Sequence, residues 1–176
     1  GFETAHVQPD IVTMGKSMGN GHPLSVVVTT KDIADKFNNG MEYFNSFGGN
    51  PVSCAVGKAV LRALEEEKMQ QNANKIGKYL LQELKGLQSE FSLIGEVRGK
   101  GLFVGIELIK NKSNLSPAYK EAKKVVNEMK RKKILLSTDG PDHNVIKIKP
   151  PMIFNKQNAD ELVLKLSEVL SNIDYE

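Results

Sequence analysis

Tryptophan is absent from this chain, and cysteine occurs once, at position 54. A single thiol excludes an intrachain disulfide framework and fits a reducing compartment. No apolar run approaches the roughly 18 residues that a bilayer span requires. The opening GFETAHVQPD has neither the charged n-region nor the apolar h-region of a secretory signal. Histidine is scarce too: His6, His22 and His143 are scattered and unmatched by cysteine or carboxylate partners, so no metal site is predicted. The net charge of +3 comes from 24 basic residues dispersed among 21 acidic ones, which does not build a nucleic-acid stripe. The expectation is therefore a cytoplasmic or mitochondrial-matrix protein with no visible targeting signal and no nucleic-acid or membrane partner. An initiator Met is also lacking, and Gly1-Phe2-Glu3 leads almost at once into a buried-looking strand. That pattern predicts a chain cut from something longer.

What is present is ordinary globular material, 40% apolar and 26% charged over 176 residues, enough for one domain or two small ones. The chain is organised around DIVTMGKSMGNGHPLSVVVTT, residues 10–30. A short strand at Asp10–Thr13 leads into Gly15-Lys16-Ser17, a flexible turn Gly19-Asn20-Gly21-His22-Pro23, and an apolar strand from Leu24 to Val28. Strand, loop-borne lysine, glycine turn and strand place one amine at a sheet edge and let a ligand approach the backbone closely. Gly15-Lys16-Ser17 imitates the end of a P-loop, but that motif demands a glycine where Asp10 stands. A lysine used as an amine for imine chemistry fits better, and a solvated loop lysine is the plain alternative. His22 either lines a pocket near Lys16 or caps the turn.

Further along, Lys31–Phe37 is expected as a short helix and MEYFNSFGGN (41–50) as a surface or interface loop. Asn50-Pro51 opens a helix with Val52, Val56, Ala59, Val60, Ala63 and Leu64 on its apolar side and Cys54 as a small buried hydrophobe. Ser46, Gly48, Gly49 and Asn50 before that helix suit a phosphate, or else Asn50 is simply a cap. A long helix, Met69–Leu87, presents Ile76, Leu80 and Leu84. Strands are predicted at 92–98, 102–108, 134–137 and 144–149, and helices from Ser116-Pro117 and from Lys156 to about Ile173. Arg98 stands to pair with a ligand carboxylate or with a neighbouring glutamate. Lys147 and Lys149 alternate toward Pro150 and face solvent or a pocket. The order describes the end of one α/β layer, residues 1–90 with the long helix as a bridge, and a compact α+β domain over 91–176.

DIVTMGKSMGNGHPLSVVVTT, EYFNSFGGNPVSCAVGKAVL, VRGKGLFVGIEL and NVIKIKPPM occur in the order, and at intervals comparable to those, of the class III pyridoxal-phosphate aminotransferases, which the whole chain resembles. GNGHP, the EYFN-serine-FGG stretch and LSTDGP resemble most the ethanolamine-phosphate and 5-phosphohydroxylysine phospho-lyase branch. The resemblance implies an α/β fold, the C-terminal part of a fold-type I transferase, with pyridoxal 5'-phosphate as cofactor. It implies that Lys16 holds the cofactor as an internal aldimine and shuttles protons. Ser46 stands where relatives usually have threonine, whose hydroxyl reaches the cofactor phosphate of the opposite subunit. It implies substrate-side or supporting roles for His22, Arg98 and Lys147. Many family members place at position 147 an arginine that grips the substrate α-carboxylate; lysine supplies only a point charge, which favours an amino phosphate lacking a carboxylate. The implied partners are a small-molecule amine, a second or further copies in a homodimer or homotetramer, and a missing N-terminal half of the same polypeptide. Alternatives are ordinary transamination to a 2-oxo acid, or an inert fragment or interaction module as the isolated chain.

Overall fold

The computed structural model describes residues 1–173; the last three positions of the expected small domain, 174–176, lie outside the described residues. The chain divides into two compact units, Gly1–Glu67 and Lys68–Glu176. In the first, β1 (Ile11–Met14) pairs antiparallel with β2 (Val26–Thr29), Met14 opposite Val26. Helix α1 (Lys31–Phe37) follows, and α2 (Pro51–Glu66) begins where the side chain of Asn50 accepts from the N–H groups of Val52 and Ser53. Almost nothing in this unit is buried: only Gly19 and Gly57 are. The apolar side expected of α2 is half-buried at Val56, Val60, Ala63 and Leu64, while Val52 and Ala59 are exposed. Cys54, expected as a buried hydrophobe, is exposed as well, because its side of the helix borders an open cavity rather than packed side chains.

The second unit owns the core. Its sheet runs β3 (Ile94–Lys100), β4 (Phe103–Asn111), β7 (Val145–Ile148) and β6 (Ser137–Asp139), all antiparallel, with β5 (Ser116–Pro117) paired to β4. Alternation along the strands sorts the two faces. Val104, Ile106, Leu108, Ile146 and Ile148 point to the buried side, where they meet α3 (Met69–Glu90), α4 (Tyr119–Arg131) and α5 (Lys156–Ser171). The predicted stripe of α3, Ile76, Leu80 and Leu84, is core, and Ala122, Val125 and Met129 of α4 and Leu162, Leu166 and Leu170 of α5 are core with it.

The compact units separate between Glu67 and Lys68, where Lys68 adopts φ 51° and interrupts the helical path, and the α3 stripe is buried with β3 and α5. Two expectations shift. Ser116-Pro117 does not open a helix. Ser116 and Pro117 pair with Asn111 and Ile109, the N–H of Ala118 reaches the carbonyl of Leu108 at 3.1 Å, and α4 starts only at Tyr119. The strand expected at 134–137 begins at Ser137, because Lys133 and Ile134 still donate back to Lys130 and Met129 at the end of α4. Among the described residues no helix is long and apolar enough to cross a membrane.

Candidate functional site

β1 delivers the chain to Gly15, and a tight 3-10 turn, Lys16–Gly19, carries the lysine at its first position. Lys16 has φ 46°, a left-handed conformation that a side chain normally avoids, and it is exposed. The turn is closed by the N–H of Met18 on Gly15 O (3.3 Å), of Asn20 on Ser17 O (3.1 Å) and of His22 on Gly19 O (3.0 Å). The result is an accessible primary amine on a strained, hydrogen-bonded turn.

His22, at the exit of that turn, is half-buried, and its Nε2 lies 2.8 Å from Oγ of Ser53 in the first turn of α2. It lines a cavity of about 630 Å³ together with Leu24, Asn45, Asn50, Ser53 and Cys54. Histidine and cysteine thus share one cavity, which separation in sequence did not disclose, but the imidazole nitrogen is engaged by serine. Lys16 and Ser46 do not line this cavity, though Asn45 and Phe47 on either side of the serine do. The backbone amides in the loop are largely used internally. Asn45 Oδ1 accepts from Phe47 N (3.1 Å) and Gly48 N (3.0 Å), and Asn50 Oδ1 from Val52 N (3.0 Å) and Ser53 N (3.1 Å). Of the two readings open at the start of α2, the structure displays the asparagine cap. Ser46, in the same loop, is exposed.

In the second unit the register builds a row across the open face of the sheet. Arg98 pairs with Gly105, Gly105 with Lys147, and Lys147 with Ser137. Directly paired residues share a face, so the two cations flank a glycine floor. They line a cavity of about 470 Å³ with Lys100, Phe103 and Asp139. Both cations already have partners. Arg98 donates to Glu96 and Glu107, each at 2.6 Å, and the hydrogen bond to Glu107 holds its pKa above the usual arginine value. Lys147 Nζ is 2.7 Å from Asp139 Oδ2, and that contact, aided by the N–H of Gly140, holds the aspartate below the usual carboxylate range. Of the two readings open for Arg98, the structure displays the neighbouring glutamates. Asp139 was missed by motif reasoning; its place in a β-hairpin opposite Val145, next to Lys147 in register, is visible only once the strands pair.

The profile of the aminotransferase class-III family matches residues 1–170. The alanine–glyoxylate aminotransferase 2-like protein of Drosophila melanogaster is 54% identical over 177 residues, covering 99% of this chain and 36% of the relative. Ethanolamine-phosphate phospho-lyase homolog 1 of Caenorhabditis elegans is 43% identical over 164 residues, covering 93% of this chain and 35% of the relative. Among solved structures, a phospholyase from Arthrobacter in complex with phosphoethanolamine superposes with a TM-score of 0.94 at 39% identity, over 98% of this chain and 41% of that one. The chain thus spans little more than a third of the curated relatives it matches. Pyridoxal phosphate is the cofactor of that family.

Proposed function

The chain belongs to the class-III aminotransferases, and from that premise we propose that the whole protein is a pyridoxal-phosphate enzyme that eliminates phosphate from an amino phosphate such as ethanolamine phosphate. The residues present fit the cofactor: Lys16 offers an exposed amine and Ser46 an exposed hydroxyl. Lys16 would hold it through Nζ and Ser46 its phosphate through Oγ. When bound, the cofactor supplies an electron sink for the carbon bearing the substrate amine. Lys16 Nζ, freed when the substrate amine takes its place, would then take the proton from that carbon. Phosphate departs from the neighbouring carbon with its bonding electron pair, and water completes the conversion to aldehyde and ammonia.

The observation that carries this reading is the state of position 147. It is a lysine, not a bidentate guanidinium, and Asp139 already neutralises it. A substrate with an α-carboxylate gains little there, while one without a carboxylate loses nothing. The C. elegans and Arthrobacter names point the same way. The second reading, transamination, is favoured by the name of the Drosophila relative. In it Lys16 Nζ returns the proton to a different atom, and the amino group passes to a 2-oxo acid. Incubating the full-length enzyme with ethanolamine phosphate separates the two. Release of phosphate and ammonia without an oxo-acid acceptor is the expected result; turnover that requires the acceptor and frees no phosphate sinks the lyase reading.

As further parts of this proposal, the enzyme works as a homodimer or larger assembly with Ser46 serving the opposite subunit, residues before this stretch complete the cofactor domain, and His22, Arg98 and Lys147 support the substrate side. The division of the complete protein into a large domain ending near residue 90 and a small domain beyond it is likewise proposed, with α3 placed at their junction.

A further inference from the structure

Two contacts fasten the turn that carries Lys16 to helix α2. The first is the 2.8 Å hydrogen bond between His22 Nε2 and Ser53 Oγ. The second is steric: a Cβ built on Gly57 would lie 2.7 Å from Cδ2 of Leu24, so the leucine methyl occupies the notch that the glycine leaves. Ser53 and Gly57 are one helical turn apart and share a face. The receiving helix end is itself fixed, since the N–H of Ser53 donates to Asn50 Oδ1 at 3.1 Å.

On the other side, His22 and Leu24 close over Gly19, the one buried residue of the 3-10 turn. Their Cβ atoms both stand 3.2 Å from the point a Gly19 Cβ would occupy, and His22 N–H bonds the Gly19 carbonyl. Displacing the imidazole therefore displaces the turn whose first residue is Lys16. A lysine held at φ 46° needs surroundings that over-determine its conformation, and these contacts are such surroundings.

We propose that His22 is a positioning residue: its bond to Ser53 latches the Lys16 turn to the amino end of α2 and sets where the lysine amine stands. The proposal rests on Lys16 being the cofactor-bearing amine. His22 acts here through Ser53, and the glycine turn moves or holds with it. A misplacement of about 1 Å costs as much as ~10²-fold in rate, so the latch is worth having even though one hydrogen bond adds little to global stability.

The test uses the full-length protein and the variants His22→Phe, Ser53→Ala, Ser53→Thr and the double variant His22→Phe with Ser53→Ala. In cofactor-stripped protein, His22→Phe and Ser53→Ala should each speed amide exchange at Gly19–His22 by about ten-fold. In loaded enzyme each should lower kcat by up to ~10²-fold, and Ser53→Ala should do so with KM nearly unchanged. The double variant should be no worse than either single one, and Ser53→Thr, which keeps the hydroxyl, should behave as wild type. Unchanged exchange, or exchange effects that add as independent ones, overturns the latch. A fall in melting temperature alone, with kcat and exchange of the turn intact, also overturns it. Should His22→Phe fail to fold, Ser53→Ala, which removes a single oxygen atom, decides the matter alone. Borohydride reduction followed by peptide mapping keeps the underlying reading separate. An adduct on another lysine refutes the role of Lys16, whereas an adduct on Lys16 with no exchange response refutes the latch.

Discussion

Lys16 sits at φ 46°, and a side chain in that region costs roughly 1–2 kcal/mol relative to glycine. With the role proposed for Lys16, stability and chemistry conflict at this residue. Lys16→Gly should unfold at higher denaturant than Lys16→Ala, by about 1 kcal/mol in a urea titration, while both lose the cofactor adduct seen as a visible absorption band. Equal stability of the two variants refutes the strain. Asp139 offers a pH signature with a definite sign. Its folded pKa is depressed below the ordinary 3.8, chiefly by the hydrogen bond from Lys147. A depressed carboxylate adds stability that is fully present above its unfolded value and is lost as pH falls through the folded one. Wild type should thus exceed Asp139→Asn in melting temperature at pH 6, and the gap should close below pH 3.8. Since the pair is largely exposed, the gap will be small and will shrink in high salt; a gap that persists at low pH refutes the ion pair as its source.

Among the elements, α3 approaches the β3–β4 turn closely at a glycine. A Cβ on Gly77 would fall 2.1 Å from the carbonyl oxygen of Gly101, a backbone atom that cannot swing away, and Gly101 itself holds φ 54°. Gly77→Ala should destabilise by about 3 kcal/mol or more, measured by chemical denaturation, although alanine is the better helix former by ~1 kcal/mol. A neutral or stabilising outcome refutes the contact. That conflict between propensity and packing also marks what the sequence could convey. The helices α3, α4 and α5 were legible because their apolar periods coincide with the faces that the second unit buries, and Asn50-Pro51 announced α2 through cap chemistry that needs no tertiary information, whereas α1 forms with no buried residue at all. Short-range signals failed where a distant partner decides. Ser116-Pro117 reads as a helix start, yet β4 claims it as an edge strand. The Arg98–Gly105–Lys147 row comes from three strands and has no local signature, and the Asp139 counter-ion follows from hairpin register. Lys16 stands out in the sequence because glycines and a resemblance bracket it; the hydrogen bond of His22 on Ser53 crosses from the turn to α2 and has no local signature.

At the scale of the molecule, the contrast between the two units is a contrast in burial. The second buries Leu80, Leu84, Ile146 and Leu166 completely, whereas the first leaves Tyr43, Phe44 and Phe47 at 69%, 81% and 82% exposure on the loop that holds Ser46. Three large aromatic rings on one loop are costly to leave in water and are the residue types that anchor interface cores. We expect this loop to be covered by a second copy in the complete enzyme, with Ser46 donating to the cofactor phosphate of that copy. Ser46→Ala should then weaken cofactor binding about ten-fold or more, the loss of one charge-assisted hydrogen bond, while turnover persists at saturating cofactor. Hybrids resolve whose site the serine serves. When Ser46→Ala subunits are combined with Lys16→Ala subunits, a serine acting across the interface leaves one site with both lesions and one with neither. The intact site should bind cofactor with wild-type affinity and turn over, giving half-of-sites titration in a preparation whose parents are each impaired. A serine acting within its own subunit leaves every hybrid site with one lesion. Titration of tagged, purified hybrids with cofactor then finds no site of wild-type affinity that also turns over, and the cross-interface assignment of Ser46 is wrong.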